Sequence, residues 1–305
     1  MHIEDLKIPG QTTLAAKLYQ PQSEGNYPGI LLAHGFASCK EEFMALPHAL
    51  ANAGYAVLTF DFSGHGESTG PRGYVSEHSH LDDILRAYQC LIDRPTVDVT
   101  RTALIGHSLG TAAVLRFLGT SAGKNPLCAA ILAPPYQIRQ SIKPGEREAY
   151  TLLAQIAKPL LKLTGRHIYI PYRVKPKDIY VSPEAIERAR TQRLLLPQIS
   201  VNNHRYMMEV QDNVIYAEKV QTPTLVMVAE KDALIAPAHS KQVYEALLSP
   251  DKKWLEMADS GHSLLGDRQA KKVTTELVTW LNSFLQQDAP APVFATADLQ
   301  LPGQG

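Results

Sequence analysis

The pattern Gly-x-Ser-x-Gly occurs twice, as Gly66-Glu67-Ser68-Thr69-Gly70 and as Gly106-His107-Ser108-Leu109-Gly110. Flanking glycines let a chain turn sharply from strand to helix, so that the serine oxygen stands above the sheet edge and can attack an acyl carbonyl. The pattern alone does not choose between the two serines, but context does. Ser108 follows the run Thr102-Ala103-Leu104-Ile105 and precedes Thr111 to Leu118, good helix formers with apolar Ala112, Ala113, Val114, Leu115 and Leu118. Ser68 sits in a polar stretch and is followed by Thr69-Gly70-Pro71, so it is expected to be loop structure. The first turn of a helix offers free amides and the positive end of the helix dipole. The Leu109 N–H is therefore a candidate donor to the oxyanion formed when Ser108 attacks. A second donor is expected at the Phe36 N–H, because the run Gly29 to Ala33 leads into His34-Gly35-Phe36, where a glycine lets the next amide turn inward.

A serine hydroxyl becomes a competent nucleophile when a neutral imidazole accepts its proton and a buried carboxylate fixes that imidazole's tautomer. Eleven histidines compete for the first role. His107 is expected to lie in the turn itself, unable to face its neighbour, while His34 and His65 belong to turns and fit structural hydrogen bonds. His262, in Asp259-Ser260-Gly261-His262-Ser263, falls between the last strand and the last helix. The chain order Ser, acid, His then asks for a carboxylate at a strand end before His262. Asp232 and Glu230 both follow the run Thr224 to Ala229, and Asp259 is expected to cap a loop.

Such residues need a scaffold that brings several loops to one edge. Apolar, β-rich runs at Gly29 to Ala33, Ala56 to Phe60, Thr102 to Ile105, Ala129 to Ala133, Thr224 to Ala229 and Lys253 to Met257 each predict a buried strand. Between them, Leu81, Ile84, Leu85, Tyr88, Leu91 and Ile92 recur at helical spacing, as do Val273, Leu277, Leu281, Phe284 and Leu285. The alternation predicts an α/β fold, a mostly parallel sheet with helices on both faces. One connection is too long for that rhythm, since 90 residues separate Ala133 from Thr224. The expected organisation is a core over 1–133 and 224–287, an inserted subdomain over 134–223, and a flexible Pro/Ala/Gly/Gln-rich tail over 288–305.

The insert carries 14 Lys plus Arg against 8 Asp plus Glu and holds 7 of the 13 tyrosines. If it faces the site, its positive charge should favour neutral or anionic esters over cationic ones. Its apolar positions Leu152, Ile156 and Leu160, with Tyr169, are the candidate substrate-binding residues. Over the whole chain 30 basic residues balance 30 acidic ones, so nothing global recruits nucleic acid or an anionic membrane. Three widely spaced cysteines define neither a disulfide framework nor a zinc site. With no secretion-signal pattern and no long apolar run, a cytoplasmic protein with no integral membrane association is expected.

The segments His34-Gly35-Phe36, Asp61-Phe62-Ser63-Gly64-His65-Gly66-Glu67-Ser68 and Gly106-His107-Ser108-Leu109-Gly110 together resemble the α/β-hydrolase superfamily. Within it, the resemblance points to the capped serine hydrolases that include monoacylglycerol lipases, lysophospholipases and cinnamoyl esterases, a group labelled serine aminopeptidase-like. The likeness spans roughly 10–287 and is weak in the insert; many members carry Arg where this chain has Ser63. It implies an eight-stranded core with a cap between the sixth and seventh strands, and it puts the acid at Asp232. The expected activity is hydrolysis of a small-molecule carboxylic ester by Ser108, Asp232 and His262, with no metal or organic cofactor. An aminopeptidase, amidase or thioesterase on the same triad is the alternative enzyme, and a small-ligand receptor on the same fold the alternative outside catalysis.

Overall fold

The structure, a computed structural model, describes residues 1–120, 126–136, 142–192, 194–210 and 213–286. The tail expected over 288–305 lies outside the described residues. The strands are β1 (His2–Ile8), β2 (Leu14–Gln20), β3 (Tyr27–Ala33), β4 (Ala56–Phe60), β5 (Val97–His107), β6 (Cys128–Leu132), β7 (Tyr169–Pro171), β8 (Gln198–Ser200), β9 (Thr224–Ala229) and β10 (Lys252–Met257). All but β7 and β8 join one eight-stranded sheet in the order β1-β2-β4-β3-β5-β6-β9-β10. The β1–β2 and β2–β4 pairings are antiparallel, and every later neighbour is parallel.

The inner parallel strands β3, β4, β6 and β9 are almost wholly buried because both sheet faces are covered, whereas Lys253 to Met257, expected as a buried strand, lies in the edge strand β10 and is buried only at Met257. Leu31, Leu104 and Val226 face a layer containing Ile84, Leu91 and Leu115 from α2 (Glu77–Ile92) and α3 (Leu109–Gly119), where α1 is Leu46–Asn52. Their neighbours Ile30, Ile105 and Leu225 point the other way, onto Leu46, Leu50, Leu277 and Leu281. Each leucine so removed from water contributes about 2–3 kcal/mol, which makes this two-sided core a rigid platform for the loops above it. The sequence pattern missed β1 and β2. In β2 every second residue is only partly buried, so it has an alternating rather than continuous apolar signature.

Residues between β6 and β9 supply α4 (Pro144–Thr164), α5 (Pro176–Ile179), α6 (Pro183–Gln192), α7 (Asn213–Ala217) and the antiparallel β7–β8 pair. They sit between the sixth and seventh strands of the sheet, followed by α8 (Pro237–Ala246) and α9 (Ala270–Leu285). Hydrogen bonds tie them down: Leu196 N–H donates to Ala37 O at 2.7 Å, and Asn203 Nδ2 to Gly73 O at 3.0 Å. The buried Asp267 carboxylate accepts the Val181 and Ser182 amides at 2.7 and 2.9 Å and also the Gly261 amide at 2.9 Å. The insert is thereby fastened to the loop that carries His262.

Candidate active site

Ser108 leaves β5 and opens α3, Phe36 follows β3, Asp232 follows β9 and His262 follows β10. All of them stand at carboxyl ends of parallel strands, the edge at which open α/β sheets bind ligands. Ser108 adopts φ 50° and ψ −121°, a conformation that costs a residue with a Cβ about 1–3 kcal/mol. The surroundings hold it there: its N–H donates to Leu132 O at 2.8 Å, and the Thr111 hydroxyl donates to its carbonyl at 2.6 Å. The glycines give the turn its room. A Cβ on Gly110 would lie 2.1 Å from Ala33 O, and one on Gly106 would lie 2.9 Å from the Gly110 carbonyl carbon. Because these obstacles are backbone, Gly110→Ala is expected to lower unfolding free energy by about 1–3 kcal/mol, measured by urea titration.

The serine of the second glycine pattern is placed quite differently. Ser68 Oγ donates to Asp61 O at 2.6 Å and accepts the Ala15 N–H at 2.8 Å, pinning a loop to β2.

His262 Nε2 lies 2.9 Å from Ser108 Oγ, and His262 Nδ1 lies 2.7 Å from Asp232 Oδ2. A carboxylate only accepts, so Nδ1 carries the proton and the Nε2 lone pair faces the serine hydroxyl. Asp232 Oδ1 also accepts the Leu234 and Ile235 amides, each at 2.8 Å. Burial by itself would raise the Asp232 pKa, but His262 and these two amides outweigh it and hold the carboxyl below its ordinary value. The other carboxylates of these loops face elsewhere. Glu230 accepts the Asp259 N–H at 3.0 Å, and Asp259 pairs with Lys231.

Phe36 and Leu109 both border the cavity above Ser108, and among the described residues neither N–H has a protein acceptor. The turn that presents Phe36 is braced from both sides. The Gly35 N–H donates to Glu42 Oε1 at 2.7 Å, and its carbonyl faces His34 Nδ1 at 2.7 Å. A Cβ on Gly35 would sit 3.2 Å from the Ser108 Cβ, so only glycine passes here without pressing on Ser108. Glu42 escaped the sequence reading, in which His107 was expected only to lie in the turn. His107 does not lie idle in its turn: Nδ1 faces Glu42 Oε1 at 3.0 Å and Nε2 faces the His262 carbonyl at 3.1 Å. No local motif marks Glu42, since its partners are brought together by the sheet.

The cavity measures about 840 Å³ and is walled mainly by apolar groups of the insert, among them Val174, Ile179, Leu195, Ile199 and Met207. Tyr150, Tyr172 and Tyr180 add rings to this wall. The expected pocket residues are not among them. Leu152, Ile156, Leu160 and Tyr169 are 61%, 57%, 39% and 37% exposed, and none borders the cavity. The reason is helical phase: α4 turns Tyr150, Leu153, Ala157 and Leu161 inward, and the stripe Leu152, Ile156, Leu160 and Leu163 lies around the outer side. Tyr169 is an outward position of β7, three residues from the inward Tyr172.

Among the described residues, the basic side chains of the insert likewise lie mostly away from the cavity. Of its described Lys and Arg residues only Arg190 borders the cavity, where it pairs with Glu187 at 3.0 Å, and Glu146 adds the opposite charge. Exposed pairs are worth little and are screened by salt. The kcat/KM ratio for matched anionic and cationic esters is therefore expected to change less than about threefold between low salt and about 1 M, read by initial rates. Among the described residues, no group of three or more His, Cys, Asp or Glu is arranged to hold a metal ion.

Residues 28–269 match the family described as "Serine aminopeptidase, S33" (Hydrolase_4). An uncharacterized 31.7 kDa protein of the traX-finO intergenic region of Escherichia coli is 25% identical over 86% of this chain and 92% of its own. The caffeoylshikimate esterase of Arabidopsis thaliana is 26% identical, over 83% of this chain and 77% of its own. Among solved structures, the monoacylglycerol lipase of Paleococcus ferrophilus superimposes with a TM-score of 0.68 at 22% identity, covering 93% of this chain and all of that one. At that identity the superposition speaks for a shared fold.

Proposed function

The chain belongs to the serine aminopeptidase S33 family of α/β hydrolases, and on that footing we propose that it cleaves carboxylic esters through an acyl-enzyme on Ser108. His262 Nε2 takes the proton of Ser108 Oγ as the oxygen attacks the acyl carbonyl. Asp232 holds the His262 ring and stabilises the imidazolium that forms. The Phe36 and Leu109 amides receive the oxyanion, supplying stabilisation that grows as charge develops. The imidazolium then protonates the leaving alcohol, and water, activated by the same base, releases the acid.

The observation that carries this reading is the hydrogen-bonded series Ser108, His262 and Asp232 opening into an apolar cavity of about 840 Å³. A space of that size is at the large end for small-ligand sites and suits an acyl chain or an aryl ring. Monoacylglycerol, lysophospholipid and cinnamoyl-type esters are the proposed substrate class, with 134–223 acting as a cap over the core. Three unpaired thiols, Cys39, Cys90 and Cys128, suit the cytoplasm. Glu146, at the cavity wall, favours a second reading in which a substrate ammonium is held and an aminoacyl amide is cleaved. A panel of p-nitrophenyl esters of increasing chain length, a monoacylglycerol, a cinnamoyl ester and an aminoacyl amide separates the two. Ester turnover exceeding amide turnover by on the order of a hundredfold in kcat/KM supports the first, and the reverse order supports the second.

A further inference from the structure

A second buried acid and imidazole lie beside the triad, and the steps above do not use them. Glu42 belongs to the single turn Lys40–Phe43 and is 8% exposed; His107 immediately precedes the nucleophile and is 7% exposed. His107 Nδ1 is 3.0 Å from the Glu42 carboxylate, and Nε2 is 3.1 Å from the His262 carbonyl. A carbonyl and an ionised carboxylate, the form in which the neighbouring His107 holds Glu42, only accept hydrogen bonds, whereas a neutral imidazole has one N–H to give. With Glu42 ionised, the two contacts are both hydrogen bonds only when both ring nitrogens carry protons. His34 provides the contrast: its Nδ1 faces the Gly35 carbonyl at 2.7 Å while its Nε2 accepts the Phe62 N–H at 3.0 Å, as a neutral tautomer requires.

We propose that Glu42 and His107 form a carboxylate–imidazolium pair that positions the oxyanion turn and the histidine loop around Ser108, and that turnover falls at alkaline pH when His107 loses its proton. The pair reaches all three parts of the site. Glu42 Oε1 accepts the Gly35 N–H at 2.7 Å, His107 is covalently next to Ser108, and its Nε2–H holds the backbone of His262. Both are positioning residues for the ester hydrolysis proposed above, on which the kinetic part of the inference rests.

The charges around the pair come from every side. His107 faces Glu42, the His262 ring at a centroid distance of 5.0 Å, and Asp232 beyond it. Glu42 faces His107, His34, the Ser38 hydroxyl and the Tyr172 phenol. Burial alone would discharge both members, but their mutual attraction and hydrogen bond outweigh it, so His107 is held above and Glu42 below its ordinary value. The sign follows. The His107 contribution is complete below the ordinary imidazole value and fades as pH rises through the raised folded value. The Glu42 contribution is complete above the ordinary carboxylate value and fades as pH falls through the lowered one.

The test is ¹⁵N NMR of histidine-labelled enzyme at about pH 8, above the ordinary imidazole value, with the His107 signals identified by their loss in His107→Gln. Both ring nitrogens should resonate as imidazolium, and Glu42→Gln should convert them to the unequal pattern of a neutral ring. A neutral His107 pattern in the unsubstituted enzyme at that pH overturns the pair. This arm needs no turnover, so it stands or falls separately from the ester reading. In kinetics, His107→Gln, which cannot titrate, should lower kcat on the order of tenfold to a hundredfold, with KM nearly unchanged and the alkaline limb of the kcat profile removed. An alkaline limb unchanged in a folded His107→Gln protein overturns the link to turnover.

Discussion

Replacing Ser108 with alanine should remove ester turnover by on the order of a thousandfold or more while leaving the melting temperature close to that of the parent. Among the described residues the hydroxyl's one hydrogen-bond partner is His262 Nε2, and because His262 borders the cavity, water can take the place of the lost hydroxyl. Alanine also fits the backbone conformation that serine already occupies at φ 50°. Ser68→Ala should behave in the opposite way. It deprives the Ala15 amide and the Asp61 carbonyl of their shared partner, costing about 1–3 kcal/mol of stability with little change in kcat/KM. Thermal unfolding and initial rates on both variants give a crossed pattern. Loss of activity in Ser68→Ala with activity retained in Ser108→Ala would exchange the roles of the two serines.

His262→Ala should cost on the order of a thousandfold in kcat, and Asp232→Ala somewhat less, yet the double variant should be hardly slower than His262→Ala. Asp232 reaches the reaction only through the ring, by the 2.7 Å contact at Nδ1, so with the ring gone it has nothing left to orient. The logarithms of the rate losses should therefore fail to add by an amount close to the whole Asp232 effect. Additive losses would show that the carboxylate acts on its own. Glu230 and Asp259 would then be the next acids to substitute, although each is occupied within its own loop.

What the chain reveals before folding depends on how local the signal is. The turn around Ser108 is local: a strand, two glycines and a helix within a few residues, each required by atoms of the same turn or of β3 next to it. The inner parallel strands announced themselves because burial on both faces demands continuous apolar runs, and Ala56–Phe60 and Thr224–Ala229 coincide with their expected bounds. Half-buried β1 and β2 lack that demand. The pocket was the least legible part. An apolar stripe on α4 states that a helix is amphipathic but not which neighbour it meets, and Leu152, Ile156 and Leu160 turn outward while Leu195, from an irregular stretch, and Met207, from the short π-helix Tyr206–Val210, line the cavity. Glu42 was hidden for a related reason. It lies 65 positions from His107 in sequence, and only the parallel pairing of β3 with β5 makes them neighbours.

The proposed nucleophile is open to a covalent trapping test. Ser38 and Ser263 also border the cavity, so a serine-directed fluorophosphonate has three serine hydroxyls within its reach there. Intact mass followed by peptide mapping should find one phosphonyl adduct, on the peptide containing Ser108, formed far more slowly in His262→Ala and absent in Ser108→Ala. An adduct on Ser38, Ser263 or any other residue that survives Ser108→Ala at the parent's rate would contradict the assignment of Ser108 as the nucleophile.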